Sequence, residues 1–284
     1  MSTGVAGTSD AMHTIDYLRE ALPRHPELRE TLELHIALLE VRATVDPPAP
    51  PSLPLGVAET RLAQGEPLLN AVTLTPNWND LARIFTGICN AAAAHRPDEA
   101  DALRELAKLA DNPDELREAI TEHLANRAHP VRRPASAVPG GATLLDFTLN
   151  QTLHPFLSAY ARAWQSLASR ETWYRSWCPI CGGPADMAAL LPAGGARQLL
   201  CARCDAEWQA PRGACPFCSE TRPGHLGYIA SQDGAYRLYT CDTCRRYLKT
   251  IDLRELARPV QLPAERILTV GMDLMAISSG YQSV

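Results

Sequence analysis

The chain has 284 residues, of which 46% are hydrophobic and 21% charged, and carries a net charge of −5. That length supports a sizeable core and two domains, and the apolar content excludes an extensively disordered chain. The acidic balance leaves no overall basic field that would draw in nucleic acid. Residues 1–10 lack the basic and apolar regions of a signal peptide. No stretch approaches 18 uninterrupted apolar residues, so no membrane span is expected. The expected location is the cytoplasm, where reducing conditions make cysteines metal ligands rather than disulfides.

In chain order, residues 25–44 place Leu28, Leu32, Ile36, Leu39 and Val41 near a 3.6-residue period, which predicts a helix with one apolar face. Residues 47–54 contain five prolines. They form a loop, because proline fixes its own φ and supplies no N–H. Helices are predicted over about 76–95, with Trp78, Leu81, Ile84, Phe85 and Ile88 apolar, and over 98–109. Asn112 reads as an N-cap with Pro113 at the first helical position of a helix running to about 126. Residues 129–141, with three prolines and two glycines, form a connection. A helical pattern resumes over 143–170 through Leu145, Phe147, Leu149, Leu153, Phe156, Leu157, Tyr160 and Trp164. Pro155 is expected to kink or split it.

Short strands are expected only beyond Trp177, over 197–200, 207–211, 227–231, 236–240 and 247–252. The tail over 264–278 reads as helix, with Met272, Leu274, Met275 and Ile277 docking it on the rest.

Eight of the nine cysteines form four Cys-x-x-Cys pairs: Cys178/Cys181, Cys201/Cys204, Cys215/Cys218 and Cys241/Cys244. Two thiolates three positions apart can bend around one tetrahedral ion, and two such turns close its shell. The gaps between pairs are 19, 10 and 22 residues. The long gaps suit hairpins and the short one suits a linker. Sequential pairing is expected, with Cys178, Cys181, Cys201 and Cys204 around one metal and Cys215, Cys218, Cys241 and Cys244 around a second; the competing arrangement is interleaved, the first pair with the third and the second with the fourth.

Four thiolates suit zinc or iron. Gly182, after Cys181, gives the first knuckle a rubredoxin-like form, and Ser219 replaces the glycine in the third, so the metal stays open between the two. With four protein ligands apiece neither site has a position for water or substrate, which favours a structural role over hydrolysis. From residue 170 onward, 13 Arg plus Lys stand against 11 Asp plus Glu. Eight thiolates and two divalent ions turn that balance negative, which suits phosphate binding poorly.

The remaining residues carry no catalytic signature. There is no phosphate-binding glycine loop, no Gly-x-Ser-x-Gly and no His-Glu-x-x-His. His35, His123 and His154 read as surface or satisfied core histidines, and Cys89 as a small buried hydrophobe. The expected architecture is α+β: an all-helical domain over 1–176, two small rubredoxin-like or zinc-ribbon β-modules over 177–212 and 213–255, and a helical tail over 256–284.

The segment Trp177-Cys-Pro-Ile-Cys-Gly-Gly-Pro184, then Leu200-Cys-Ala-Arg-Cys-Asp-Ala-Glu-Trp208, Cys215-Pro-Phe-Cys218 and Cys241-Asp-Thr-Cys-Arg-Arg-Tyr-Leu-Lys249 resembles the FdhE family of formate dehydrogenase accessory proteins. Trp208, and the Tyr247-Leu248-Lys249 run, are not demanded by metal binding. The resemblance implies a cytoplasmic maturation factor, without a catalytic residue or small-molecule substrate. It would bind the catalytic subunit of respiratory formate dehydrogenase before twin-arginine export. It also implies that the eight cysteines hold two ions, iron or zinc, and that Trp208, Tyr247, Leu248 and Lys249 are framework or partner contacts. Two other classes stay open, a rubredoxin-like electron carrier and a zinc-ribbon nucleic-acid binder.

Overall fold

A computed structural model describes residues 7–72, 74, 76–125, 140–169 and 173–283. Among these, no strand precedes Ala185. The helices before it are α1 (Gly7–Ala21), α2 (Arg29–Arg42), α3 (Leu55–Ala63), α4 (Trp78–His95), α5 (Ala100–Ala107), α6 (Pro113–Ala125) and α7 (Gly141–Ala168). The chain divides into two compact units, Met1–Pro50 with Leu74–Ala159, and Pro51–Thr73 with Tyr160–Val284. The connection expected over 129–141 lies almost wholly outside the described residues.

In the first unit the predicted apolar faces form the core. Leu32, Leu81, Ile84, Phe85, Ile88 and Leu145 are all buried. Two Asn side chains satisfy orphan N–H groups at helix starts. Asn77 Oδ1 accepts from the Asn79 N–H at 3.0 Å at the start of α4, and Asn112 Oδ1 from Asp114 and Glu115 at 3.3 and 3.4 Å at the start of α6. Cys89 is fully buried, and burial pushes its thiol up to about 12. His123 is a satisfied core histidine. Its Nδ1 lies 3.0 Å from Asp146 Oδ1 and its Nε2 3.0 Å from Asn150 Oδ1.

The structure corrects three helical expectations. Neither α1 nor α3 was anticipated. Pro155 does not split α7, which continues as one 28-residue helix. One lost N–H is outweighed there by buried Leu149, Leu153, Phe156 and Leu157 on both sides of it.

The second unit is built on a six-stranded sheet with strand order β3-β2-β1-β6-β5-β4. The strands are β1 (Ala185–Leu190), β2 (Arg197–Cys201), β3 (Glu207–Ala210), β4 (Leu226–Ala230), β5 (Tyr236–Cys241) and β6 (Arg246–Asp252). All neighbours are antiparallel except β1 and β6, which run parallel with Met187 opposite Lys249 and Leu190 opposite Asp252. The two cysteine modules therefore share one sheet. Each repeats the same order: a knuckle, a hairpin, a second knuckle and a third strand. The first strand of one module joins the last strand of the other, so the join is head to tail.

The outer edge of β3 is guarded. Gln165 of α7 donates to the Glu207 carbonyl at 2.7 Å and accepts from the Glu207 N–H at 3.3 Å, which blunts the edge against further pairing. Beyond the sheet, α8 (Leu262–Leu268) and α9 (Val270–Ser278) replace the single predicted tail helix. Leu262 joins Met187, Ala189, Leu200 and Ile251 in one core cluster.

Candidate metal centres

The structure gathers the eight cysteines into two sets of four, with the predicted sequential grouping. In each set the sulfurs lie within 4.8 Å of one another. In the first, Sγ of Cys178 is 3.7 Å from that of Cys204, and Cys181 is 3.4 Å from Cys201. In the second, Cys215 is 3.7 Å from Cys244 and Cys218 is 3.6 Å from Cys241. Bonds of about 2.3 Å to a tetrahedral ion require sulfurs roughly 3.5–4 Å apart. Both sets fit that requirement.

All four knuckles repeat one backbone device. The N–H of the residue after the second cysteine donates to the carbonyl of the first: Gly182 to Cys178 at 3.0 Å, Asp205 to Cys201 at 3.3 Å, Ser219 to Cys215 at 3.0 Å and Arg245 to Cys241 at 2.8 Å. Each of those four residues has a positive φ, between 57° and 76°. The sequence pointed to a tight turn here only where glycine fills the position; the turn is the same where Asp, Ser or Arg does. Gly183 meets a separate demand. A Cβ there would stand 2.8 Å from Arg203 Cδ.

The turns also aim N–H groups at sulfur. Ile180 and Gly183 donate to Cys178 and Cys181 at 3.3 Å each, and Arg203 donates to Cys201 at 3.4 Å. Such bonds stabilise thiolate and tune a bound metal.

Thiol acidity points the same way. Burial pushes Cys178 and Cys204 well above the ordinary thiol range, while hydrogen bonds from Cys178, Cys201 and Cys204 hold Cys181 well below it. A buried group of four sulfurs carries little negative charge unaided. A cation at its centre supplies the missing charge and deprotonates the thiols outright. With four sulfurs each, both sites are closed and offer no place to a substrate.

The surroundings of the two sets differ. The first is buried at every cysteine, whereas in the second Cys218 is exposed and Cys244 half-buried. The first has a roof from far up the chain: the N–H groups of Leu68 and Leu69 donate to the carbonyls of Pro179 and Ile180 at 2.9 and 2.8 Å. Residues 51–73, which the sequence assigned to the helical domain, thus pack within the unit that holds the sheet.

Buried Arg197, on β2, clamps the linker between the sets. It donates to the carbonyls of Pro211, Arg212 and Ala214 at 3.0–3.2 Å, and its guanidinium stacks 4.8 Å from the Tyr239 ring centroid. Nothing in the local pattern marked Leu68, Leu69 or Arg197, since their roles arise only from distant contacts.

The residues that the family resemblance raised are framework. Trp208, Tyr247, Leu248 and Lys249 are all buried. Trp208 Nε1 finds no acceptor among the described residues, so its hold is packing. Tyr247 Oη donates to Asp273 Oδ1 at 2.8 Å and Lys249 Nζ to Asp273 Oδ2 at 2.6 Å. Of the two readings, framework and partner contact, burial favours framework for both Trp208 and Tyr247, with Tyr247 packed against Met272 and Ala276 of α9. The tail shows the converse. Leu274, Met275 and Ile277 were expected to dock α9, but they are exposed, and Ala276 with Met272 faces inward. At about 100° per residue, positions 272, 274, 275 and 277 point all round the helix and cannot share one face.

Among the described residues, no helix is long and apolar enough to cross a membrane. No family model matches the chain. It is 26% identical to the protein FdhE homolog of Aquifex aeolicus (strain VF5) over 285 residues, 96% of this chain and 92% of that one. The FdhE homolog of Pasteurella multocida is 31% identical over 110 residues, 37% of this chain and 34% of the relative. The crystal structure of the FdhE protein from Pseudomonas aeruginosa shares the fold, with a TM-score of 0.60 at 22% identity over 97% of this chain and 92% of that one. The chain is thus similar in sequence to an FdhE homolog along nearly all of its length and shares the fold of an FdhE protein.

Proposed function

We propose that the protein is a cytoplasmic accessory factor for formate dehydrogenase. It binds the immature catalytic subunit and assists its assembly before twin-arginine export, without a catalytic site of its own. The observation that carries this reading is the likeness to an FdhE homolog along 96% of the chain. The closed geometry of both cysteine sets supports it, because such sites build surfaces rather than turn over substrate.

In this reading Cys178, Cys181, Cys201 and Cys204 hold one ion, and Cys215, Cys218, Cys241 and Cys244 hold a second, iron or zinc. The ion cross-links two knuckles that are remote in sequence, and iron would add a one-electron couple.

The test is co-purification from native cytoplasm while formate dehydrogenase is being made, with metal analysis of the recovered protein. The catalytic subunit should be recovered together with about two ions per chain. Failure to recover it under those conditions refutes the accessory reading.

A second reading, a rubredoxin-like electron carrier, draws on the exposure of Cys218 and the N–H bonds to sulfur. It requires visible iron–thiolate absorbance that bleaches on reduction. Binding of nucleic acid has less support, given the negative balance of the metal-loaded modules.

A further inference from the structure

The C-terminal segment is fastened at each end to a knuckle of a different cysteine set. At its start, Arg266 of α8 reaches the first set. Its Nη2 donates to the carbonyl of Cys201 at 2.8 Å, its Nη1 pairs with Asp205 Oδ1 at 2.9 Å, and its Nε lies 2.7 Å from Asp186 Oδ2. Asp205 is the positive-φ residue that follows Cys204.

At its far end, the chain returns to the second set. The Gln282 N–H donates to the Arg245 carbonyl at 2.7 Å, and Arg245 Nη2 donates to the carbonyls of Ser279 and Gly280 at 3.2 Å each. Tyr281 Oη donates to Asp242 Oδ1 at 2.7 Å, and the Arg245 guanidinium sits 4.2 Å from the Tyr281 ring centroid. Asp242 lies between Cys241 and Cys244, and Arg245 is the positive-φ residue after Cys244.

Apolar packing between these staples is slight. In α9 only Ala276 is buried, with Met272 partly so, while Leu274 is 66% and Ile277 55% exposed. The polar staples and the Asp273 contacts to Tyr247 and Lys249 are therefore what position α9.

We propose that residues 266–282 form a strap whose docking depends on metal in the two cysteine sets, so that loading of the sites determines whether the face of α9 bearing Leu274, Met275 and Ile277 is held in place. The staples grip the parts of each knuckle that four gathered thiolates hold in shape: a cysteine carbonyl and the side chain or carbonyl of a residue at positive φ. Asp205 and Arg245 are strained there, as any L-residue with a Cβ is. Without a cation at the centre, no bond ties the two knuckles of a set together, and relief of that strain favours opening them. Opening takes the Cys201 carbonyl and the Asp205 carboxylate from Arg266, leaving it only Asp186 of β1, and takes the Arg245 carbonyl from Gln282. By linkage the coupling is reciprocal, so a docked strap tightens metal binding at the knuckle it touches.

The inference rests on the cysteines being metal ligands, and its test separates the two claims. Hydrogen–deuterium exchange is followed by mass spectrometry on the full chain, loaded with metal and then after graded chelation, with the ion count measured at each step. Peptides over 270–282 are expected to lose protection while those of β1 and β6 keep it.

Two variants complete the test. Arg245→Ala, at a half-exposed surface position, should lower metal affinity of the second set at least about fivefold, the low end of common couplings, and leave the first unchanged. Arg266→Met should do the reverse. Strap peptides that ignore metal removal, or that open only together with β1 and β6, overturn the proposal, as does unaltered affinity in Arg245→Ala. A chain that binds no metal overturns the ligand reading and the strap with it.

Discussion

The first and second cysteine sets share their ligand spacing, knuckle hydrogen bond and positive-φ position, yet the first is buried at all four residues and the second leaves Cys218 exposed. What differs lies outside the motifs. The first set gains a roof from Leu68 and Leu69, contact from Arg266 and a place beside the sheet core. The second borders β4, whose residues Tyr228 and Ile229 are exposed. Two sites of identical chemistry are thus given different access to solvent by segments far away in sequence. Access governs exchange, oxidation and chelation of a thiolate-bound ion.

The comparison can be broken most severely at the ligands themselves. Cys181→Ser should cost the first set its ion, disorder the two knuckles that carry Cys178 and Cys201 and lower the melting temperature the most, since metal binding is worth on the order of 10 kcal/mol in small zinc modules. Cys218→Ser should halve the ion count and leave β1, β2 and β3 intact. Metal analysis with thermal unfolding of both variants checks this; equal damage from the two substitutions would mean the sites are equivalent.

A smaller break comes from the linker clamp. Arg197→Ala takes the shared donor from three linker carbonyls and the guanidinium from the Tyr239 ring, and should cost about 2 kcal/mol in denaturant unfolding. Its effect should show in amide resonances or exchange of residues 211–218 before those of β2.

Accessibility sharpens the contrast without damage. With a chelator in excess, metal should leave the second set at least about tenfold faster than the first, equivalent to roughly 1.4 kcal/mol of barrier. Alkylation followed by peptide mapping should label Cys218 first. Leu68→Ala, by loosening the roof, should narrow the gap between the two rates. A single rate for both ions would show that burial does not control release.

The least effect is expected at Ser219. Its φ of 61° suits glycine, so Ser219→Gly should stabilise the second module by about 1 kcal/mol, read as a small rise in melting temperature of the metal-loaded protein.

Much of this was legible from residue order. The predicted strands over 197–200, 207–211, 227–231, 236–240 and 247–252 correspond to β2–β6 within a residue at either end. β1 was not legible. Its sequence Ala-Asp-Met-Ala-Ala-Leu has no β-branched or aromatic residue, and it is a strand because β2 and β6 flank it on both sides. The helix over 55–63 was hidden by its position after a proline run, while α1 was not anticipated although Ile15, Leu18 and Ala21 give it a buried apolar face.

What the sequence determined by itself was the ligand set and its grouping. Spacing within a Cys-x-x-Cys turn is a local property, and the 10-residue gap suited a link where the longer gaps suited hairpins, which favoured sequential over interleaved grouping. Only the tertiary structure decided the rest. It merged two modules into one sheet through β1 and β6, brought Leu68 and Leu69 over Pro179 and Ile180, and buried Trp208 and Tyr247 as framework. It also turned Leu274 and Ile277 outward. Each of these depends on which residues distant in the chain meet, and burial is a property of that meeting rather than of any residue's type.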